Sequence, residues 1–197
     1  MVIMSLVFGT GVVSRELEQK TIVYLLTRPV PRWMILAAKI LAAFVVVTAA
    51  LWLSAILLAL VAFFPHGLGP SRLGRDLAIL PVGVLAYTSV FVCLATAFQR
   101  ALLVGLFFAF GWESWVPSWP GSFQKVSLMT HLRVLAPHPV SKGGEHGLME
   151  MLSGMLTAPS VTSSFAWTTL FTTTLVALLG ALFIFSTREY APRDDAE

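Results

Sequence analysis

Long apolar runs separated by short polar passages set the pattern of this chain. Segments 33–64, 77–98 and 165–187 are built almost wholly from Leu, Val, Ala, Phe, Ile and Thr. Helix rises about 1.5 Å per residue, so roughly 20 residues cross a hydrocarbon core of about 30 Å, and each of the three segments suffices. A further run, 101–117, is uncharged only over 101–112 and reaches spanning length when Glu113 sits at the membrane boundary. Strands of a closed barrel would alternate apolar and polar residues over about ten positions, which these solid runs do not. The pattern predicts an all-α fold, a polytopic membrane helix bundle forming one domain over 1–197. Residues 1–13 are apolar but too few to cross alone, and they read as the end of a span whose usual N-terminal beginning is absent.

The polar passages carry their own periodicity. Ser14 is a suitable cap for a helix beginning at Arg15, and Pro29 and Pro31 would stop it, which outlines a short cytosolic helix within 14–32. Its first half holds Arg15, Glu16, Glu18, Gln19 and Lys20, and its second half Ile22, Val23, Tyr24, Leu25 and Leu26. The outer segment, 118–164, turns to Gly, Ser, His, Pro and Thr, with two embedded helical stretches. Phe123, Val126, Met129, Leu132 and Leu135 recur nearly every third position in the first; Leu148, Met151, Leu152, Met155 and Leu156 share one side of the second. Both predict re-entrant or interfacial helices. The tail, 188–197, is polar and acidic.

Composition agrees with a lipid environment. Hydrophobic residues make up 57% and charged residues 12% of the chain, against about 45–50% and about 25% in soluble domains. Spans that alternate through the bilayer put Arg15, Lys20, Arg28, Arg32, Lys39, Arg100, Arg188 and Arg193 on one side. The positive-inside rule makes that side cytosolic, C-terminus included, and predicts a multi-pass protein of the cell's inner (plasma) membrane. A net charge of +3 without a basic face gives no footing for nucleic acid. The single cysteine, Cys93, lies inside a span and forms no intrachain disulfide.

The order Glu16-x-Glu18, Thr21, Leu25-Leu26, Pro29-Val30-x-Arg32 and then Lys39 resembles the membrane subunit of type-2 ABC exporters. That family's coupling helix reads Glu-x-Glu-x-Gly-Thr, Leu-Leu, Pro-Val-x-Arg and a Lys at the start of the next span; Lys20 stands where Gly is common. Gln99-Arg100, Trp112-Glu113, and the stretch from Pro120-Gly121 to His131-Leu132 continue the likeness. The resemblance implies a permease that pairs with a second permease copy and with ABC ATPase subunits, exporting a solute. Glu16, Glu18, Thr21, Tyr24, Leu25, Leu26 and Pro29 would then engage the ATPase, while Arg28, Arg32 and Lys39 anchor the passage at lipid phosphates. ATP and Mg would belong to the partner, because the chain contains no phosphate-cradling Gly-x-x-x-x-Gly-Lys-Ser/Thr loop and no cofactor motif of its own.

Glu113 stands apart as an ionisable group at the end of an apolar run and is a candidate for the translocation path. His131, His138, His146 and Met149, Met151 and Met155 lie on the same side, but their irregular spacing marks no metal site. Two other classes compete with the permease: a membrane enzyme using Glu113 and the outer histidines as acid and base, and a scaffold that moves nothing. Turnover without ATP would mark the first. Thr168, Thr169, Thr172, Thr173 and Thr174 crowd the last span, where hydroxyls bonded to backbone carbonyls serve packing.

Overall fold

A computed structural model describes residues 1–18, 32–63, 70–116, 125–136 and 162–187. The elements are α1 (Val2–Glu18), α2 (Arg32–Phe63), α3 (Pro70–Ala97), α4 (Ala101–Phe107), a π-helical turn (Phe108–Trp112), α5 (Glu113–Trp115), α6 (Leu128–Leu135) and α7 (Ser163–Thr187), with no strand among the described residues. Trp33–Val61, Leu73–Ala97 and Ser163–Thr187 are long and apolar enough to cross a membrane, while Val2–Val12 and Ala101–Trp115 are shorter apolar helices. The chain is an all-α bundle, as its apolar runs predict.

Two boundaries differ from expectation. Helix α1 passes through Ser14 without a break, so no helix begins there. Propagating an existing helix past one serine costs about 0.5 kcal/mol, far less than nucleating a new one. Helix α3 begins well before residue 77, at Pro70. A proline is well placed at the first helical position, where its missing N–H is not needed.

Helix α3 is the hub, packing against α1, α2, α4, α6 and α7. Half of its spanning window is buried, 50% against 17% in α2 and 22% in α7. The outward faces of the other helices stay greasy: Leu53, Leu58 and Val61 of α2, and Phe171, Leu175 and Phe183 of α7, are exposed. Such faces suit lipid, where packing of small and shape-matched residues rather than the hydrophobic effect brings helices together.

Small residues set the close approaches. A Cβ at Gly9 would lie 2.9 Å from Phe91 Cβ and 3.4 Å from the Thr88 carbonyl oxygen, so α1 meets α3 nearly backbone to side-chain root. Along α7 the buried stripe is Ala166, Leu170, Thr174, Ala177, Ala181 and Phe185, one face of a helix at spacings of three and four. The α7 hydroxyls turn inward on their own helix: Thr169 Oγ1 donates to the Phe165 carbonyl at 2.8 Å, Thr172 to Thr168 at 2.7 Å and Thr174 to Leu170 at 2.7 Å.

Pro81 sits inside α3 and cannot donate to the Leu77 carbonyl one turn earlier. Trp52 Nε1 of α2 donates to that carbonyl at 2.9 Å. A defect in one helix thereby becomes a tie between two, since a carbonyl left without a donor in hydrocarbon is costly.

The core divides in two. Leu36, Ile40, Val92, Ala95, Ala101, Ala181 and Phe185 pack near the Gln99–Arg100 turn. Leu6, Tyr87, Phe91, Ala109, Leu128, Leu132 and Leu170, with others, pack at the α6 end. The second cluster carries the polar site.

Candidate functional site

The chain from Ala101 rises as ordinary α-helix and then widens into the π-helical turn Phe108–Trp112, where the Glu113 N–H donates to the Phe108 carbonyl. A π turn takes one residue more than an α turn, which rotates everything beyond it by about 100° relative to an uninterrupted helix. Glu113 emerges facing inward and is 5% exposed. The Ser114 hydroxyl donates to the Ala109 carbonyl within this turn at 3.4 Å.

Three donors converge on Glu113 Oε1. Tyr87 Oη of α3 donates at 2.5 Å and Ser127 Oγ at 3.0 Å. The third is the backbone N–H of Met129 in the first turn of α6. Ser127 also caps α6, its hydroxyl accepting from the Thr130 N–H at 3.4 Å. One carboxylate oxygen thus joins α3, α5 and α6. Glu113 Oε2 is buried and has no hydrogen-bond partner among the described residues. Aromatic packing continues below, with Tyr87 stacked on Phe91 at a centroid distance of 6.2 Å and Phe91 meeting Phe108 edge-on at 6.1 Å.

A cavity of about 550 Å³ opens beside this carboxylate, lined by Val2, Ile3, Ala109, Phe110, Glu113, Ser114, Met129 and Arg133. Most of its wall is apolar, with Glu113 and the exposed Arg133 as opposite charges. Since Val2 and Ile3 start α1, the same helix that lines the cavity ends at Glu18.

His131, on α6, is fully buried and rests edge-on against Phe165 at 5.9 Å. Neither ring nitrogen completes a hydrogen bond among the described residues. Burial pushes its pKa below the ordinary value; the Glu113 carboxylate and the nearby Lys125 carbonyl oppose that push. The unfolded chain therefore takes up a proton near the usual histidine value of about 6.5 before the folded chain does. Stability carried by neutral His131 is intact above about pH 6.5 and falls as pH drops below it. Thermal melts of the purified chain between pH 7.5 and 5.5 are expected to show this loss, and His131→Leu is expected to flatten it.

The residues expected to contact a partner are placed only in part. Glu16 and Glu18 lie in the last turns of α1, Arg32 opens α2, and Lys39 is half-buried one turn or more further along α2. Thr21, Tyr24, Leu25, Leu26, Arg28 and Pro29 lie outside the described residues, as do His138, His146 and the second helical stretch. The first stretch shifts: Val126 is 59% exposed and precedes α6, while Leu128, His131, Leu132 and Leu135 form the buried face. A run of every-third apolar residues overlooks a capping serine, and Ser127 resets the register. Trp112 and Trp115 are exposed on the apolar surface, the position amphipathic rings take at a headgroup belt. Glu113 is enclosed by α3 and α6, its side chain turned into the bundle. Tyr87, Ser127 and Arg133 carry no motif, and the one sequence signal was a phenol inside an apolar span, which needs a polar partner.

Neither the curated proteins nor the solved structures contain a match to this chain. A family sequence profile does: that of the ABC-2 family transporter proteins matches residues 1–189. That match covers nearly all of the chain, the described bundle has the apolar helices such a permease needs, and the chain belongs to the ABC-2 family of transporter permeases.

Proposed function

We propose that this chain is the permease subunit of an ATP-driven exporter, in which a separate ATPase drives solute across the inner (plasma) membrane. The observation that supports it most is α1: one unbroken helix, Val2–Glu18, lines the Glu113 cavity with its first residues and carries Glu16 and Glu18 at its other end. Seventeen residues make a rod of about 25 Å. A push delivered at the acidic end reaches the cavity without passing through a loop.

In this reading Glu16, Glu18 and Thr21 bond to the ATPase, Tyr24, Leu25 and Leu26 seat the passage in its apolar groove, and Pro29 turns the chain into α2. Arg28, Arg32 and Lys39 hold the passage at lipid phosphates. ATP and Mg bind the partner, a second permease copy completes the pathway, and the C-terminus is cytosolic. Glu113 lines the route, where a buried ionisable group is expected to serve function.

The test is Glu16→Ala in the full transporter, co-expressed with an ATPase that carries a phosphate-cradling loop. The variant is expected to insert normally, yet to lose at least about tenfold in ATP-dependent transport and in recovery of the ATPase by co-purification. Full transport with Glu16→Ala removes the coupling role.

A further inference from the structure

The Glu113 cavity has a charge pattern that nothing among the described residues completes. Glu113 Oε2 is buried without a hydrogen-bond donor, although Oε1 of the same carboxylate has three. A carboxylate oxygen accepts only, so what is missing is a donor. Arg133 lines the same cavity and offers N–H groups that call for an anionic acceptor, and Glu113 and Arg133 form no ion pair with each other. The remaining wall, Val2, Ile3, Ala109, Phe110 and Met129, is hydrocarbon or thioether. Ile3 and Phe110 are 58% and 55% exposed, so the apolar wall continues onto the greasy surface.

We propose that this cavity binds an amphiphilic zwitterion carrying a primary amine and a phosphate, the chemistry of an ethanolamine phosphate group. The ammonium donates to Glu113 Oε2 once the side chains that cover this atom shift aside, the phosphate accepts from Arg133, and the apolar body lies along Val2, Ile3 and Phe110. A quaternary amine has no N–H and leaves Oε2 unpartnered; an anion without an amine meets the carboxylate with like charge. Discrimination therefore rests on the amine, and retention on both charges.

The experiment uses the purified full chain in detergent with equal amounts of dihexanoyl phosphatidylethanolamine, phosphatidylcholine and phosphatidylglycerol, reading retained lipid by native mass spectrometry. The wild-type chain is expected to keep phosphatidylethanolamine at least about fivefold over either competitor. Glu113→Gln is expected to reduce that preference below about twofold, and Arg133→Gln, at an exposed side chain, is expected to lower retention of phosphatidylethanolamine at least about threefold. Equal retention of the three lipids by the wild type, a preference unchanged in Glu113→Gln, or retention unchanged in Arg133→Gln overturns the proposal. Added O-phosphoethanolamine separates the sources: displacement of the lipid points to a soluble zwitterion, and persistence of the lipid points to a membrane ligand. This ligand class rests on reading Glu113 as a route residue, but the two fail separately. Loss of transport in Glu113→Gln without any lipid preference in the wild type removes the ligand class and leaves the route.

Discussion

Glu113→Ala is expected to loosen α6 from the bundle and to lower the stability of the purified chain by about 3 kcal/mol. The substitution removes the common acceptor of Tyr87 Oη, Ser127 Oγ and the Met129 N–H. Hydrogen bonds to a charged group contribute about 1.5–3 kcal/mol each in soluble proteins, whereas those between membrane helices average about 0.6 kcal/mol. Three bonds at the edge of the apolar zone fall between those scales. Hydrogen exchange should rise most at the Met129 amide, and denaturation in detergent should shift by the stated amount. Glu113→Gln keeps an acceptor oxygen and is expected to cost about 1 kcal/mol. Tyr87→Phe removes one donor, so combining it with Glu113→Ala should cost less than the sum of the two, because the bond is lost only once. Unchanged exchange at residues 127–135 in Glu113→Ala would show that the carboxylate does not hold α6.

Gly9→Val should separate α1 from α3 and cost about 1–3 kcal/mol, the range for overfilling a packed interior. The obstacle is Phe91 Cβ, 2.9 Å from where the new atom would sit, and a Cβ cannot swing aside as a side-chain tip can. Gly9→Ala meets the same first atom and should cost less, since only one methyl must be accommodated. Gly74→Ala is the internal control: nothing lies within 4 Å of its added Cβ. That change should be neutral or should stabilise by up to about 1 kcal/mol through helix propensity. Melting curves of the three variants check the ranking, and a Gly9→Val chain as stable as wild type would mean that α1 and α3 do not touch there. In the assembled transporter the same variant is expected to lower transport more than ATP hydrolysis, because α1 is the proposed connection between the two.

The all-α bundle was legible along the chain because burying a backbone in lipid admits few solutions, and long uncharged runs of Leu, Val and Phe announce helices without any knowledge of their neighbours. The runs at 33–64, 77–98 and 165–187 coincide closely with α2, the body of α3 and α7. The family likeness came from residues 16–39, where order and spacing are themselves the signal. Glu113 was noticed for the same local reason, a charge beside an apolar stretch. Its surroundings were not legible. Tyr87 and Ser127 reach it across 26 and 14 residues of chain, and no periodicity encodes a meeting at that distance. The π turn at Phe108–Trp112 breaks the 3.6-residue count that a linear reading assumes. Local chemistry therefore fixes which segments are helical and where a charge is anomalous, while long-range packing alone turns Glu113 inward, gives one of its oxygens three donors and leaves the other with none among the described residues.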